Sequence, residues 1–230
     1  MPLHCLIINH LAYADNIVIF SNGKSSSLRL IMNCINDYEI SSDQLVNRDK
    51  SFFFPPPRTA AQRINRIRRC TCFMDKTFPF AHLGCPLYVS RKLIVYFDNM
   101  VSKVVKRLNG WHGKFLSYGG KIILIKSVLQ SLPLYTLSPL TPPKGTLALI
   151  EKHLANFFWG NSQDHKNYHW SSWANLCVPC DEGGIGIRSM EDFSNIFAMK
   201  RWWRLRTSDS LWVAFVKQKY CIGADMVSKK

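Results

Sequence analysis

Three groups of residues in this chain have the types and spacing for chemistry. His165-x3-His169 followed by Cys177-x2-Cys180 supplies four zinc-type donors at finger-like intervals. The pairs run in the reverse order of the common finger, so we read the spacing as chance within a Cys-containing connector. Asp15-Asn16 is a short polar break between two β-rich apolar runs, residues 6–12 and 17–20, the pattern of a hairpin with an acidic turn. Asx residues favour such turns for local reasons alone. The third group is cationic: residues 58–126 hold 14 Lys/Arg against two acids, Asp75 and Asp98, so most of the chain's +15 net charge lies there. A single-sign field of that size suits a polyanion, nucleic acid before membrane; the bland alternative is a solvated basic face without a partner.

Other constellations carry less. Gly183-Gly184-Ile185-Gly186 has no strand–loop–helix context for a dinucleotide and reads as a backbone turn near packed aromatics. Cys70-x-Cys72 has no companion pair and reads as a strand with buried thiols. No Ser/His/Asp spacing marks a hydrolase, and no small-molecule substrate is expected. Hydrophobic content of 47% with 13% aromatic excludes a disordered chain. The eight cysteines are scattered, no secretory signal precedes them and no apolar run is long enough to span a membrane, so an intracellular, reduced protein with no membrane partner is the expectation, nucleus or cytoplasm being open.

The elements that must position these groups are legible in outline. After the hairpin, residues 25–40 place Leu28, Ile31, Met32, Ile35 and Tyr38 on one helical face, with Ser25 or Ser26 as cap. Short strands are expected at 45–46 and 51–54 before Pro55-Pro56-Pro57. Residues 58–69 are a loop or a weak helix; 70–74 and 82–88 read as strands. Residues 91–109 form a helix with Phe97, Met100, Val101, Val104, Val105 and Leu108 in one stripe and Lys103, Lys106 and Arg107 opposite. Helices follow at 121–132 and 144–159, the latter entered through Pro142-Pro143 and ended by Gly160. Two more close the chain at 189–206 and 208–220, with Trp202, Trp203 and Trp212 expected in a helical core. The fold class is α+β: a small mixed front, then an all-helical remainder.

The Tyr13-Ala14-Asp15-Asn16 core resembles the Tyr-Ala-Asp-Asp box of reverse transcriptases, and the downstream segments are similar to the plant LINE-type (non-LTR retrotransposon) members. Ser42-Asp43-Gln44-Leu45 with Asn47, Lys50 and Ser51 resembles their Ser-Gly-Leu-x-x-Asn-x-x-Lys-Ser segment. His82-Leu83-Gly84-Cys85-Pro86-Leu87 resembles Tyr-Leu-Gly-x-Pro-Leu, which borders the primer grip. Leu108-Asn109-Gly110-Trp111 with Lys114, Leu116, Ser117 and Gly120 resembles the signature of the thumb-like region, which Leu124–Leu129 and Pro133-Leu134-Tyr135 continue. Phe157-Phe158-Trp159-Gly160, Trp170, Trp173 and residues 183–188 resemble the connector before the family's zinc-binding tail.

The resemblance implies three regions: a palm-like remnant at 1–90 carrying the Asp15 hairpin, a basic helical thumb-like region at 91–160, and a Trp-rich connector with the C-terminal helices at 161–230. It implies Asp15 as a vestigial Mg²⁺ ligand, Asn16 in place of the second carboxylate and Lys50 as a vestigial general acid toward pyrophosphate. Nucleotidyl transfer needs two Mg²⁺ ions held by converging carboxylates. Asp15 is the first acid of the chain, so no first-strand partner precedes it, and the fingers and zinc-binding tail fall outside the 230 residues. The expectation is a reverse-transcriptase-like (RNA-directed DNA polymerase) fragment, catalytically inactive and needing no cofactor. It would retain nonspecific binding of an RNA/DNA template–primer-like duplex through Lys103, Lys106, Arg107, Trp111, Lys114, Lys121 and Lys126, the alternative for Trp111 being an anchor between helices. The alternative is the product of a degenerate open reading frame with no biochemical role.

Overall fold

The computed structural model describes residues 7–89, 91–111, 116–160 and 167–221. It is a mixed α+β chain in which helices dominate and the strands pair two by two. The chain separates into two compact units, residues 1–80 with 214–230 and residues 81–213.

In the first unit, β1 (His10–Tyr13) and β2 (Asn16–Ile19) pair antiparallel, His10 opposite Ile19 and Tyr13 opposite Asn16. The two-residue loop is therefore Ala14-Asp15, and Asn16 already belongs to the second strand, one position away from the break expected at Asp15-Asn16. Ala14 takes φ +51°, the left-handed value that such short hairpin loops require at their first position. Helix α1 (Ser25–Ser42) begins without a side-chain cap, in contrast to the cap expected at Ser25 or Ser26. It ends where Asp43 adopts φ +54°. The strand expected at 45–46 is absent; β3 is Phe52–Phe53 and pairs parallel with β4 (Met74–Asp75).

Residues 58–69, for which the sequence allows loop or helix, contain most of α2 (Ala61–Thr71). Its apolar edge is narrow, and Ile67 is buried there while Leu28 is the buried residue of α1, against which α2 packs. Cys70 lies in the last turn of α2 and Cys72 is an exposed left-handed residue after it, so the expected strand of buried thiols is not formed. Arg68 and Asp75 form an ion pair that ties α2 to β4, and the guanidinium holds the Asp75 carboxyl below the usual carboxylate range. Phe54 stacks on Phe80 at 3.9 Å between ring centroids, and Phe52 and Phe78 complete an aromatic cluster.

The second unit opens with the β5 (Phe80–His82) and β6 (Cys85–Leu87) hairpin, whose loop residues Leu83 and Gly84 both have positive φ. A 3-10 turn (Ile94–Phe97) leads into α3 (Asp98–Asn109), so the helix expected from residue 91 starts later. Then follow α4 (Tyr118–Leu124), a π-helical turn (Ile125–Leu129), α5 (Leu134–Leu137) and α6 (Lys144–Trp159). The helix expected over 121–132 thus starts earlier and changes its winding midway, where the Gln130 N–H reaches back to Ile125 O at 3.0 Å. α7 (Trp173–Leu176) and α8 (Met190–Thr207) start on Ser172 and Ser189, which accept the Asn175 and Asp192 N–H groups. α9 (Leu211–Tyr220) is the last helix of the described chain, and its residues from 214 onward are counted with the first unit.

The core of this unit is the stripe of α3 laid on α6: Val104, Ile150 and Leu154 are fully buried, joined by Ile125, Leu129, Leu137, Ile187 and Met190. Each such side chain contributes about 1.5–3 kcal/mol on burial. Along α8 the inward residues are Met190, Ser194, Phe197 and Arg201, one per turn, and Arg201 donates to Leu137 O, Ser138 O and Thr141 Oγ1 at 2.6–2.9 Å. Trp202 and Trp203 come directly after that inward position and are turned out, 48% and 62% exposed, and Trp212 is 46% exposed. They do not fill a helical core.

Candidate nucleic-acid interface

The sides of α3 are sorted by period. Met100, Val101, Val104 and Leu108 go inward, and Lys103, Lys106 and Arg107 stand exposed on the other side at i, i+3 and i+4. The only acid of α3, Asp98, is in its first turn, while Lys106 and Arg107 occupy the last, each where the helix dipole favours its sign. Trp111 comes one turn on, 37% exposed, with the Arg107 guanidinium 5.6 Å from its ring centroid. Four of the expected contact residues are therefore brought together on one open surface: three cations and an indole with an accessible edge.

The remaining expected contacts are placed elsewhere or not described. Lys114 lies outside the described residues. Lys126 projects from the π-helical turn, where its Nζ sits over the glycine loop, 3.3 Å from where a Cβ on Gly186 would be. Lys121 is 7% exposed, and its Nζ donates to Phe158 O at 3.2 Å between the rings of Tyr118 and Phe157. Burial lowers its pKa. It satisfies a last-turn carbonyl of α6, which removes it from any phosphate-facing surface.

In the first unit, Asp15 and Asn16 are exposed side by side, and the Asn16 amide donates to Asp15 Oδ1 at 3.1 Å. Lys50 is exposed in a separate turn, where its own N–H bonds to Asn47. Among the described residues no three His, Cys, Asp or Glu side chains gather as a metal would need. One exposed carboxylate beside a neutral amide does not fit the two Mg²⁺ ions of nucleotidyl transfer.

The zinc-type residues are likewise dispersed in role. His165 is outside the described residues, and His169 stacks on Trp159 at 5.7 Å between centroids. Burial, with the charges of Glu151 and Asp192, pushes the Cys177 thiol up to about 12. Cys180 is exposed beside Gly186.

One basic feature is not singled out by the sequence analysis. Ser25 and Arg29 of α1 face Gln62, Asn65, Arg66 and Arg69 of α2 across a groove. A signal for it exists: Ile64 and Ile67, three apart in an otherwise polar run, mark a helix edge and so put the arginines on a face.

No family model matches the chain. It is 32% identical over 128 residues to a putative ribonuclease H protein of Arabidopsis thaliana, covering 55% of this chain and 21% of that protein. It is 24% identical over 195 residues to the uncharacterized 149 kDa protein of transposon TX1 from Xenopus laevis, covering 83% of this chain and 14% of that one. These relatives point to a transposon-derived sequence. The chain spans 21% and 14% of these relatives' own lengths, so each is several times longer than the stretch compared. No helix among the described residues is long and apolar enough to cross a membrane.

Proposed function

We propose that this chain is a reverse-transcriptase-like piece of a plant LINE-type retrotransposon polymerase that no longer synthesises DNA and grips nucleic acid through the exposed face of α3. The observation that carries the reading is the sorting of that helix, with Lys103, Lys106 and Arg107 exposed and in no ion pair among the described residues on one side and an apolar stripe on the other. Transposon-derived relatives and a net charge of +15 support it. In this reading the hairpin, α1 and α2 are the palm-like remnant, and the helices from α3 to α6 hold a template–primer-like duplex of RNA and DNA.

Inactivity follows from Asp15 standing with an amide where polymerases pair two carboxylates; losing such a ligand charge removes several kcal/mol of transition-state stabilisation. The ribonuclease H description belongs to the Arabidopsis relative; that hydrolysis uses clustered metal-binding acids, and among the described residues of this chain no such cluster is formed.

The test is retention on a mixed RNA–DNA duplex across a salt series. Binding is expected to fall steeply with salt, by about 0.9 log units per log unit of salt for each phosphate contact. Changing Lys103, Lys106 and Arg107 to Ala should flatten that slope by about 2.7 units if each holds one phosphate. Primer extension with Mg²⁺ should give no product. No retention at low salt overturns the binding reading, and templated extension overturns inactivity.

A further inference from the structure

We infer that the groove between α1 and α2 is a second phosphate-binding surface, which takes consecutive phosphates of a nucleic-acid strand. It extends the nucleic-acid reading to the first unit but stands on different residues. Arg29 comes from α1 and Arg66 and Arg69 from one face of α2, so three guanidinium groups converge on one groove with the amides of Gln62 and Asn65 beside them.

The neighbouring arginines show what a committed guanidinium looks like in this unit. Arg63 donates to Asn22 O at 2.8 Å and Arg68 is paired with Asp75. Arg29, Arg66 and Arg69 are exposed and make no ion pair or hydrogen bond among the described residues, so their three charges on one groove are available to a ligand.

An oxyanion would supply the missing counter-charge, and the guanidinium fork matches phosphate bidentately. A strand suits the shape better than a single small anion. Arg66 and Arg69 are one helical turn apart, and Arg29 stands on a helix packed at about 8–10 Å between axes, so the cations are laid out along a path. The groove carries no aromatic side chain, so it would track backbone and leave the bases unread.

The test uses the full chain and a fluorescent mixed-sequence DNA strand, with anisotropy followed over a salt series. Arg29→Gln, Arg66→Gln and Arg69→Gln together should lower affinity at least tenfold at low salt and flatten the salt slope by about two units. The three Lys replacements should restore most of the slope. Should the triple Gln variant melt early, Arg66→Glu alone, a single exposed change, decides the matter. Unchanged affinity and slope in a variant that melts like the parent overturn the proposal. So does competition by inorganic pyrophosphate at matched ionic strength with no strand binding, which would mean a small-anion site. The Lys103, Lys106 and Arg107 variant, run alongside, reports on α3 separately, so either surface can fail alone.

Discussion

The Tyr135 hydroxyl donates a 2.7 Å hydrogen bond to the Leu83 carbonyl, fastening α5 to the loop of the β5–β6 hairpin across 52 positions of sequence. The ring lies against Gly84, 3.4 Å from where a Cβ would stand. Two of the segments that carry the family resemblance therefore meet at one atom pair. Tyr135→Phe keeps the ring and removes the bond. A loss of about 0.5 kcal/mol, the low end of the range because the bond is exposed, is expected in urea unfolding followed by circular dichroism. An unchanged midpoint would mean that the ring alone holds the loop.

Gly184 has no room for a methyl group. A Cβ there would fall 1.9 Å from the Val178 carbonyl oxygen, backbone that is itself tied down by the Gly186 N–H at 3.2 Å. Gly184→Ala should cost about 2–3 kcal/mol. Gly183, with nothing within 4 Å, serves as the neighbouring comparison. Its φ of +88° still penalises Ala, but only by about 1–2 kcal/mol. Equal losses at both positions would remove the steric explanation.

Glu151 accepts the Met190 N–H at 2.6 Å in a partly buried position. Burial pushes its carboxyl up from 4.5, the hydrogen bond opposes this, and Glu191 and Asp192 add to the rise. With the folded value above the unfolded one, the stabilising contribution is complete below 4.5 and is lost as pH rises through the folded value. Glu151→Gln keeps an acceptor for Met190 without the charge. Its melting temperature should exceed the parent's at neutral pH, and the difference should close as pH falls toward 4.5. A pH-independent difference would contradict the account.

The thiols should separate by reactivity. Cys34, Cys72 and Cys180 are exposed, whereas Cys177 is held up to about 12. At mildly alkaline pH, iodoacetamide followed by peptide mass spectrometry should find the first three alkylated and Cys177 untouched until denaturant is added. Early alkylation of Cys177 would mean that its segment opens readily.

How much of the fold and site is legible in the sequence depends on how local the cause is. α6 is bounded by Pro142-Pro143 and Gly160, and it spans Lys144–Trp159 as those boundaries predict. The basic face of α3 follows from its period for the same reason. α2 is ambiguous in sequence because Ile64 and Ile67 give it little apolar edge, and packing against α1 decides it. Lys121 reads as a surface cation, but its partner is a carbonyl 37 residues away, which no window along the chain contains. Asp43 shows the reverse case. The position is left-handed at φ +54°, a conformation that favours Gly, yet the residue there is Asp. Asp tolerates the conformation better than most residues.

The β1–β2 ribbon pairs with no third strand among the described residues, and Leu11, Tyr13, Ile17 and Ile19 are exposed on it. Open strand edges attract copies of the same chain, while a net charge of +15 keeps copies apart. Salt shortens the reach of that repulsion to about 10 Å at 0.1 M and leaves the edges as adhesive as before. Raising salt should therefore bring protein molecules together through those edges, the opposite of its expected effect on the proposed nucleic-acid grip, so monomers are best kept dilute, cold and at low ionic strength.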